Sequence, residues 1–253
     1  MEDWMMSQEI TRILNQHSFT VLFSGGKDST AALLWVMDNV NHDDWDILYI
    51  EIKGNTHPLC TQYVYDVAAR LRADDRLKHV KTLDFFELMD KWGPPLLFAY
   101  RWCLYHLKCK NIEKHARFIT VDGIKKSDSN ARSKIYKPIT FIKISKKLTI
   151  SPLLDWTTND VMSYIRRKGL PLNQCYRLFG HSGNCVFCPY ASKKHIISTM
   201  ADPEWGPKIR SVLLRHREKM MRGRIGREIF EKWMRWDGQT RLHTDDFRPF
   251  AST

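Results

Sequence analysis

The chain has 253 residues, of which 43% are hydrophobic and 27% charged, and its formal net charge is +12. That length and composition are sufficient for one large α/β core with a smaller appendage. The longest apolar runs are too short to span a membrane and no signal peptide is evident, so we expect a cytoplasmic protein with no membrane partner. Six cysteines in such a chain indicate metal or redox chemistry rather than disulfides.

A glycine-bearing loop joins the first predicted strand to a helix. The β-branched and aromatic residues at positions 19–23 predict the strand, and the apolar residues from position 30 onward predict the helix. Two glycines between them allow the backbone to approach a ligand closely, and the free N–H groups of the helix start attract an anion. The sequence therefore predicts a phosphate-binding loop over residues 24–29. A tight turn capped by a serine is the alternative.

Four cysteines form the second informative pattern. Cys185 and Cys188 are separated by two residues, Cys175 precedes them by ten, and Cys103 is far upstream. Such thiolates could surround a zinc ion or hold a [4Fe–4S] cube, and four buried free thiols are the third alternative. Cys109 is a substitute ligand by its spacing from Cys103.

Charge is unevenly distributed along the chain. Residues 1–100 contain 9 Lys and Arg against 15 Asp and Glu, whereas residues 101–253 contain 31 against 13. A basic surplus of this size attracts polyanions, although a solvated basic surface would look the same in sequence. Apolar residues at helical spacing over 209–216 and 225–236 predict basic amphipathic helices, which are a candidate binding surface.

Four ordered motifs are similar to those of the PAPS (phosphoadenylyl sulfate) reductase-like family of PP-loop ATP pyrophosphatases, within the adenine nucleotide alpha hydrolase superfamily. They are SGGKDS at 24–29, GNTHP at 54–58, VDGIKKSDSNAR at 121–132 and SPLLDWTTNDV at 151–161. The resemblance implies a parallel five-stranded PP-loop (HUP-like) sheet with flanking helices. It also implies a smaller, mostly helical C-terminal region with a Cys-ligated metal cluster. We place the domain boundary between residues 155 and 156.

The resemblance assigns functional roles as well. The residues expected to act in catalysis are Lys27, Asp28, Lys125 and Arg132. Those expected to bind the nucleotide are Ser24, Gly25, Gly26, Lys27, Asp28, Ser29, Gly54, Thr56 and Gly123. The expected ligands of a [4Fe–4S] cluster are Cys103, Cys175, Cys185 and Cys188, a set that looks most like the iron–sulfur, DndC-type branch. Cys60 is expected in the core or beside the nucleotide.

One difference from the reductases guides the functional expectation. Reductases of this family attack the sulfonucleotide with a cysteine in a C-terminal tail, but no cysteine follows Cys188 in this sequence. We therefore expect cleavage of ATP, bound with Mg²⁺, to adenylate an acceptor for sulfur transfer or a related modification. The acceptor would be a nucleic acid, DNA or tRNA, and a sulfur donor protein and a homodimer are further expectations. A PAPS or adenylyl sulfate reductase and a non-catalytic nucleotide- and nucleic-acid-binding component are the alternatives.

Overall fold

The computed structural model describes residues 2–95, 101–128 and 137–236, with side chains from residue 8 onward. Six strands form one sheet in the order β3-β2-β1-β4-β6-β5. The strands are β1 (Phe19–Leu22), β2 (Trp45–Glu51), β3 (Leu77–Lys81), β4 (Ile119–Val121), β5 (Ile139–Ile142) and β6 (Lys147–Ile150). The predicted α/β fold is thereby confirmed.

The sheet contains five parallel strands and one antiparallel strand. β3, β2, β1, β4 and β6 are parallel to their neighbours, whereas β5 pairs antiparallel with β6. The expectation of a five-stranded parallel sheet was therefore wrong by one edge strand. The reason is local: residues 143–146 form a tight turn, with Lys146 at φ 55°, and a tight turn returns the chain antiparallel to itself.

The first buried cluster lies around β1. Phe19 and Val21 are fully buried, and Val21 is paired with Ile47 on one side and Val121 on the other. A central parallel strand covered on both faces is apolar throughout, which is why residues 19–23 lack an alternating pattern. The helices that supply buried residues to this cluster are α1 (Glu2–Gln16), α2 (Lys27–Asn39), α3 (Pro58–Arg70) and α6 (Thr158–Arg167).

A second buried cluster lies under the C-terminal helices. It joins α4 (Phe85–Trp92) and the π-helical segment Cys103–Cys109, which precedes α5 (Lys110–His115), to the last part of the chain. The remaining helices are α7 (Cys175–Phe179), α8 (Lys193–Ala201), α9 (Trp205–Arg215), α10 (Arg217–Met221) and α11 (Arg224–Met234). Each cluster draws residues from both sides of position 155, and the boundary there stays a prediction.

The helices are too short or too polar for a lipid bilayer. Within residues 2–95, 101–128 and 137–236, none combines the length and the apolar character that a membrane-spanning helix needs.

Candidate functional site

The glycine-bearing loop lies at the carboxyl end of β1 and leads into α2. Gly25 has φ 71°, and a β-carbon there would lie 2.9 Å from Cys60 Sγ, so the position needs glycine for two reasons. The Ser29 hydroxyl donates to Gly26 O at 2.9 Å and accepts from Ser24 N at 3.2 Å. These two serines therefore hold the loop in shape through bonds within it.

The first amide of α2 contacts a residue that the sequence analysis did not assign. Gly26 precedes the helix and supplies no side-chain cap, and Lys27 N donates to the hydroxyl of Tyr176 at 3.1 Å. Tyr176 belongs to α7, which lies 149 positions away in sequence. The predicted anion site is thus faced by a phenol from the C-terminal part of the chain.

Two lysines neutralise the carboxylate of Asp28. Lys27 Nζ lies 2.6 Å from Asp28 Oδ2, and the fully buried ammonium of Lys125 bonds Asp28 Oδ1 and, at 2.9 Å, Asp128 Oδ1. Lys125 therefore acts inside the protein as the counter-charge of two carboxylates. Arg132, the fourth residue expected in catalysis, lies outside the described residues.

Gly123 brings the end of β4 into contact with the start of α2. A β-carbon at Gly123 would overlap the carbonyl oxygen of Asp28 and lie 2.8 Å from Ser29 N. Both neighbours are backbone atoms, which cannot turn aside as a flexible side chain can. The position of the phosphate loop therefore depends on the missing side chain of Gly123.

Gly54 and Thr56 shape the loop that follows β2. Gly54 has φ 77°, and a β-carbon there would lie 2.8 Å from the Asp84 carboxylate. The Thr56 hydroxyl accepts from Ile52 N at 2.9 Å and donates to Asn184 O at 3.0 Å. Both residues lie at the carboxyl edge of the sheet, as expected for a nucleotide site, but the Thr56 hydroxyl is engaged with the segment that carries Cys185.

Asn55 fixes that cysteine segment, and sequence reasoning missed it. Its side chain is 1% exposed, donates to Phe187 O at 3.0 Å and accepts from Phe187 N at 2.7 Å. The backbone carbonyl of Asn55 also accepts from Val186 N at 2.9 Å. A buried amide with this pattern replaces a missing strand partner for the residues between Cys185 and Cys188.

Replacing Asn55 with alanine should loosen the cysteine segment. Two buried backbone groups of Phe187 lose their partners, and we expect a loss of about 2–4 kcal/mol in the free energy of unfolding. Urea denaturation measures it. Asn41→Ala, an exposed asparagine outside this contact, is the control and should change stability by less than about 1 kcal/mol; equal effects of the two changes would contradict the assignment.

Asn173 joins the phosphate loop to the same segment. Its amide nitrogen donates to Gly25 O and to Ser182 O, each at 2.8 Å, and its amide oxygen accepts from Cys175 N at 2.9 Å. The loop and the cysteines are therefore parts of one connected site.

Three of the four predicted ligand cysteines lie around one cation. Burial, followed by the charges of Cys185 and Cys188, raises the pKa of the Cys103 thiol to about 11. The pKa of Lys108 is raised as well, chiefly by the charge of Cys185. Cys103 and Lys108 both come from the π-helical segment, a type of helix that is frequent at functional sites.

The fourth cysteine, Cys175, lies beside Cys60 instead. A β-carbon at Gly183 would lie 2.7 Å from Cys175 Sγ and 3.2 Å from the β-carbon of Cys60. Burial raises the pKa of Cys60 to about 12, with further contributions from the charges of Cys175 and Cys185. The Cys60 thiol donates to Ser24 O at 3.5 Å, so it contacts the phosphate loop.

The thiols do not form a closed ligand shell. Across the described ranges, no three His, Cys, Asp or Glu side chains are arranged to hold a metal ion. Cys103, Cys185 and Cys188 nevertheless supply the sulfur atoms that a thiophilic metal prefers. Burial raises the pKa of Cys103 and of Cys188, so without a metal these two side chains are thiols. Cys109 is also buried, and burial raises its pKa.

Two uncharged histidines pack under the cysteine segment. His181 and His195 are stacked with ring centroids 3.5 Å apart, and His195 Nε2 lies 2.6 Å from Val186 O. Burial lowers the pKa of His181 to about 3 and that of His195 to about 4. Both rings are therefore neutral at physiological pH.

We expect stability to fall as the pH falls below about 6.5. In the unfolded chain both histidines have the ordinary pKa of about 6.5, whereas in the folded protein their pKa values are about 3 and 4. As the pH falls below 6.5, the unfolded state therefore binds more protons than the folded state and is favoured. At about pH 5 each histidine should lower the free energy of unfolding by about 2 kcal/mol relative to neutral pH. Urea denaturation across this range measures the slope, and His181→Gln should reduce it. A profile that is flat between pH 7 and 5 would contradict the buried neutral pair.

One family model matches most of the chain. Residues 18–189, more than half of the chain, match the phosphoadenosine phosphosulfate reductase domain family. An uncharacterized protein of Methanocaldococcus jannaschii is 30% identical over 180 residues, which cover 69% of this chain and 42% of that protein. Adenosine 5'-phosphosulfate reductase 2 of Bacillus subtilis is 30% identical over 95 residues, 36% of this chain and 39% of that protein. The matches span less than half the length of these relatives.

Two solved structures align with this chain at low sequence identity. Phosphoadenylyl-sulfate (PAPS) reductase from Candida auris, in a phosphate complex, aligns with a TM-score of 0.46 and 18% identity over 68% of this chain and 90% of that chain. NH3-dependent NAD synthetase from Campylobacter jejuni aligns with a TM-score of 0.46 and 11% identity over 95% of this chain and 96% of that chain.

Proposed function

The chain belongs to the phosphoadenosine phosphosulfate reductase family, and from this premise we propose that it is an ATP pyrophosphatase-type enzyme that adenylates an acceptor. An acceptor oxygen attacks the α-phosphorus of ATP, the bond to the β-phosphate oxygen breaks, and pyrophosphate leaves. The adenylated acceptor then carries AMP as a good leaving group. The observation that carries the proposal is the phosphate loop, with glycines, a helix start and two lysines at one point.

The residues of the loop have distinct roles in this proposal. The N–H groups at the start of α2 hold phosphate oxygens, and Lys27 adds positive charge where negative charge develops. Asp28 fixes the loop through Lys27 and Lys125. Since both of its oxygens accept from lysines, Asp28 does not fit a direct Mg²⁺ ligand, and Mg²⁺ would be held mainly by the phosphates of ATP, whose charge it neutralises.

The proposed acceptor is a nucleic acid, DNA or tRNA. Two exposed lysines, Lys208 of α9 and Lys194 of α8, lie at the rim of the site. Lys208 Nζ is 3.5 Å from Gly54 O, and the Lys194 side chain lies 3.0 Å from where a β-carbon would be at Gly180, the residue that follows α7. Lys193, the residue before Lys194, makes a cation–π contact with Trp236, whose ring centroid lies 5.1 Å from Lys193 Nζ. A basic rim with aromatics suits a strand of phosphates and bases.

Turnover of ATP to AMP and pyrophosphate tests the proposal. We expect turnover that increases with DNA or with tRNA, and loss of turnover in Lys27→Ala. Lys143→Ala, an exposed lysine in the turn between β5 and β6, is the control and should match the wild type. Tight polyanion binding without turnover would favour the non-catalytic alternative.

A sulfonucleotide reductase is the second candidate because the Cys60 thiol contacts the phosphate loop. Burial raises the pKa of that thiol to about 12, however, and a nucleophilic cysteine needs a lowered pKa. Release of sulfite from PAPS in the presence of a thiol reductant would decide for the reductase.

We propose further that the cysteines hold a [4Fe–4S] cluster, as in the DndC-type branch. Cys103, Cys175, Cys185 and Cys188 would be the four ligands, and the thiol of Cys175 lies beside Cys60. Such a cluster would supply a redox-active or structural group beside the nucleotide. Iron and acid-labile sulfide after anaerobic purification test it: serine variants of the ligands should lose both, whereas Cys109→Ser should retain them. A colourless protein that contains zinc would contradict the cluster.

A further inference from the structure

The phenol of Tyr176 occupies the place at which an anion would meet α2. Its oxygen accepts the N–H of Lys27 at 3.1 Å and lies 3.5 Å from where a β-carbon at Gly26 would be. Lys27 is the first residue of α2, so its N–H has no partner within the helix. An anion bound at this helix start would use the same N–H group.

The segment that carries Tyr176 contacts the phosphate loop at a second point. The Asn173 amide donates to Gly25 O at 2.8 Å and accepts from Cys175 N at 2.9 Å. Backbone groups on both sides of Gly26 are therefore bonded to residues 173–176. Cys175 immediately precedes Tyr176 in the same five-residue helix, so a displacement of Tyr176 would also displace Cys175.

A phosphate is the stronger acceptor for the Lys27 N–H. The phenol of a tyrosine is uncharged near neutral pH, whereas a phosphate oxygen carries negative charge. Hydrogen bonds to charged acceptors are roughly twice as strong as neutral ones. One N–H cannot donate with good geometry to two oxygens in the same place, so phosphate and phenol compete.

We propose that Tyr176 is a displaceable latch on the phosphate loop, released when a phosphate takes the N–H of Lys27. The inference rests on the proposed phosphate site at residues 24–29. Release of Tyr176 moves Cys175, whose thiol lies beside Gly183 and Cys60. Occupation of the nucleotide site is thereby coupled to the arrangement of the thiols.

Calorimetric titration with inorganic pyrophosphate tests the competition. We expect Tyr176→Phe to bind pyrophosphate about three- to tenfold more tightly than the wild type, because no phenol has to be displaced. Adenosine, which has no phosphate, should bind both proteins equally. Tyr65→Phe is the matched control, since it removes an exposed hydroxyl that bonds His79 away from the loop. Weaker or unchanged pyrophosphate binding by Tyr176→Phe would overturn the latch.

Hydrogen exchange gives a second test on the wild-type chain. Addition of saturating pyrophosphate should increase amide exchange over residues 174–180, and the increase should be absent in Tyr176→Phe, where the latch is already released. Saturation without any change in wild-type exchange would overturn the latch and leave the phosphate site intact. Failure of the wild type to bind either pyrophosphate or ATP would overturn the phosphate site itself, and the latch with it.

Discussion

Replacing Gly123 with alanine is expected to displace the phosphate loop. The new β-carbon would overlap the carbonyl oxygen of Asp28 and lie 2.8 Å from Ser29 N, so two backbone segments must separate. Overpacking of this kind costs about 3 kcal/mol of unfolding free energy. Because the loop amides move with α2, pyrophosphate and ATP should bind at least about tenfold more weakly. Guanidinium denaturation and calorimetric titration measure the two effects.

Gly223→Ala is the matched control for this change. No atom lies within 4 Å of a β-carbon at Gly223, and its φ of −117° suits any residue. We expect the unfolding free energy to change by less than about 1 kcal/mol and pyrophosphate binding to be unaffected. If Gly123→Ala kept the stability and the pyrophosphate binding of the wild type, Gly123 would not be in the described contact with the start of α2.

Replacing Lys125 with methionine is expected to destabilise the protein strongly. The Lys125 side chain is 0% exposed, and its ammonium neutralises Asp28 and Asp128. Without it two nearby carboxylates lose their shared counter-charge, and breaking a buried ion pair costs about 3–5 kcal/mol. Methionine keeps most of the hydrocarbon volume, so the loss reports charge rather than a cavity. Guanidinium denaturation measures it.

Two further variants separate charge from packing at Lys125. Adding Asp28→Asn to Lys125→Met removes one of the two carboxylate charges that Lys125 neutralised and should restore part of the lost stability. Lys126→Met is the neighbouring control, because its ion pair with Asp155 is exposed and should contribute less than about 1 kcal/mol. Equal losses at positions 125 and 126 would contradict the buried role of Lys125.

Local pattern was sufficient for most of the fold. The strand at residues 19–22, the glycine turn and the helix after it are decided by neighbours in sequence, since β-branched residues, glycines and apolar spacing act within a few positions. The helix starts at Lys27, three residues before the predicted start at position 30, so the second half of the 24–29 motif is helical. The antiparallel strand β5 was missed because its pairing with β6 depends on the turn at residues 143–146. In the sequence that turn is a polar, lysine-containing stretch without a recognisable turn motif.

The candidate site was less predictable, because its contacts join distant parts of the chain. Asn55 bonds Phe187 across 132 positions, and Tyr176 bonds Lys27 across 149. No spacing rule connects such residues. The buried charge of Lys125 is a similar case: a lysine in a glycine-containing loop suggests contact with phosphate, and only burial beside Asp28 and Asp128 shows that it serves inside the protein.

The sequence by itself therefore determined the family, the phosphate loop and the alternation of strands and helices, because each depends on residue types at short, fixed spacing. Only the tertiary structure decided which side chains meet that loop. Tyr176, Asn173 and Cys60 reach it because the chain folds back over the carboxyl edge of the sheet. Hydrogen bonding and burial act through space, so packing rather than spacing brings Cys185 and Cys188 near Cys103, and Cys175 and Cys185 near Cys60.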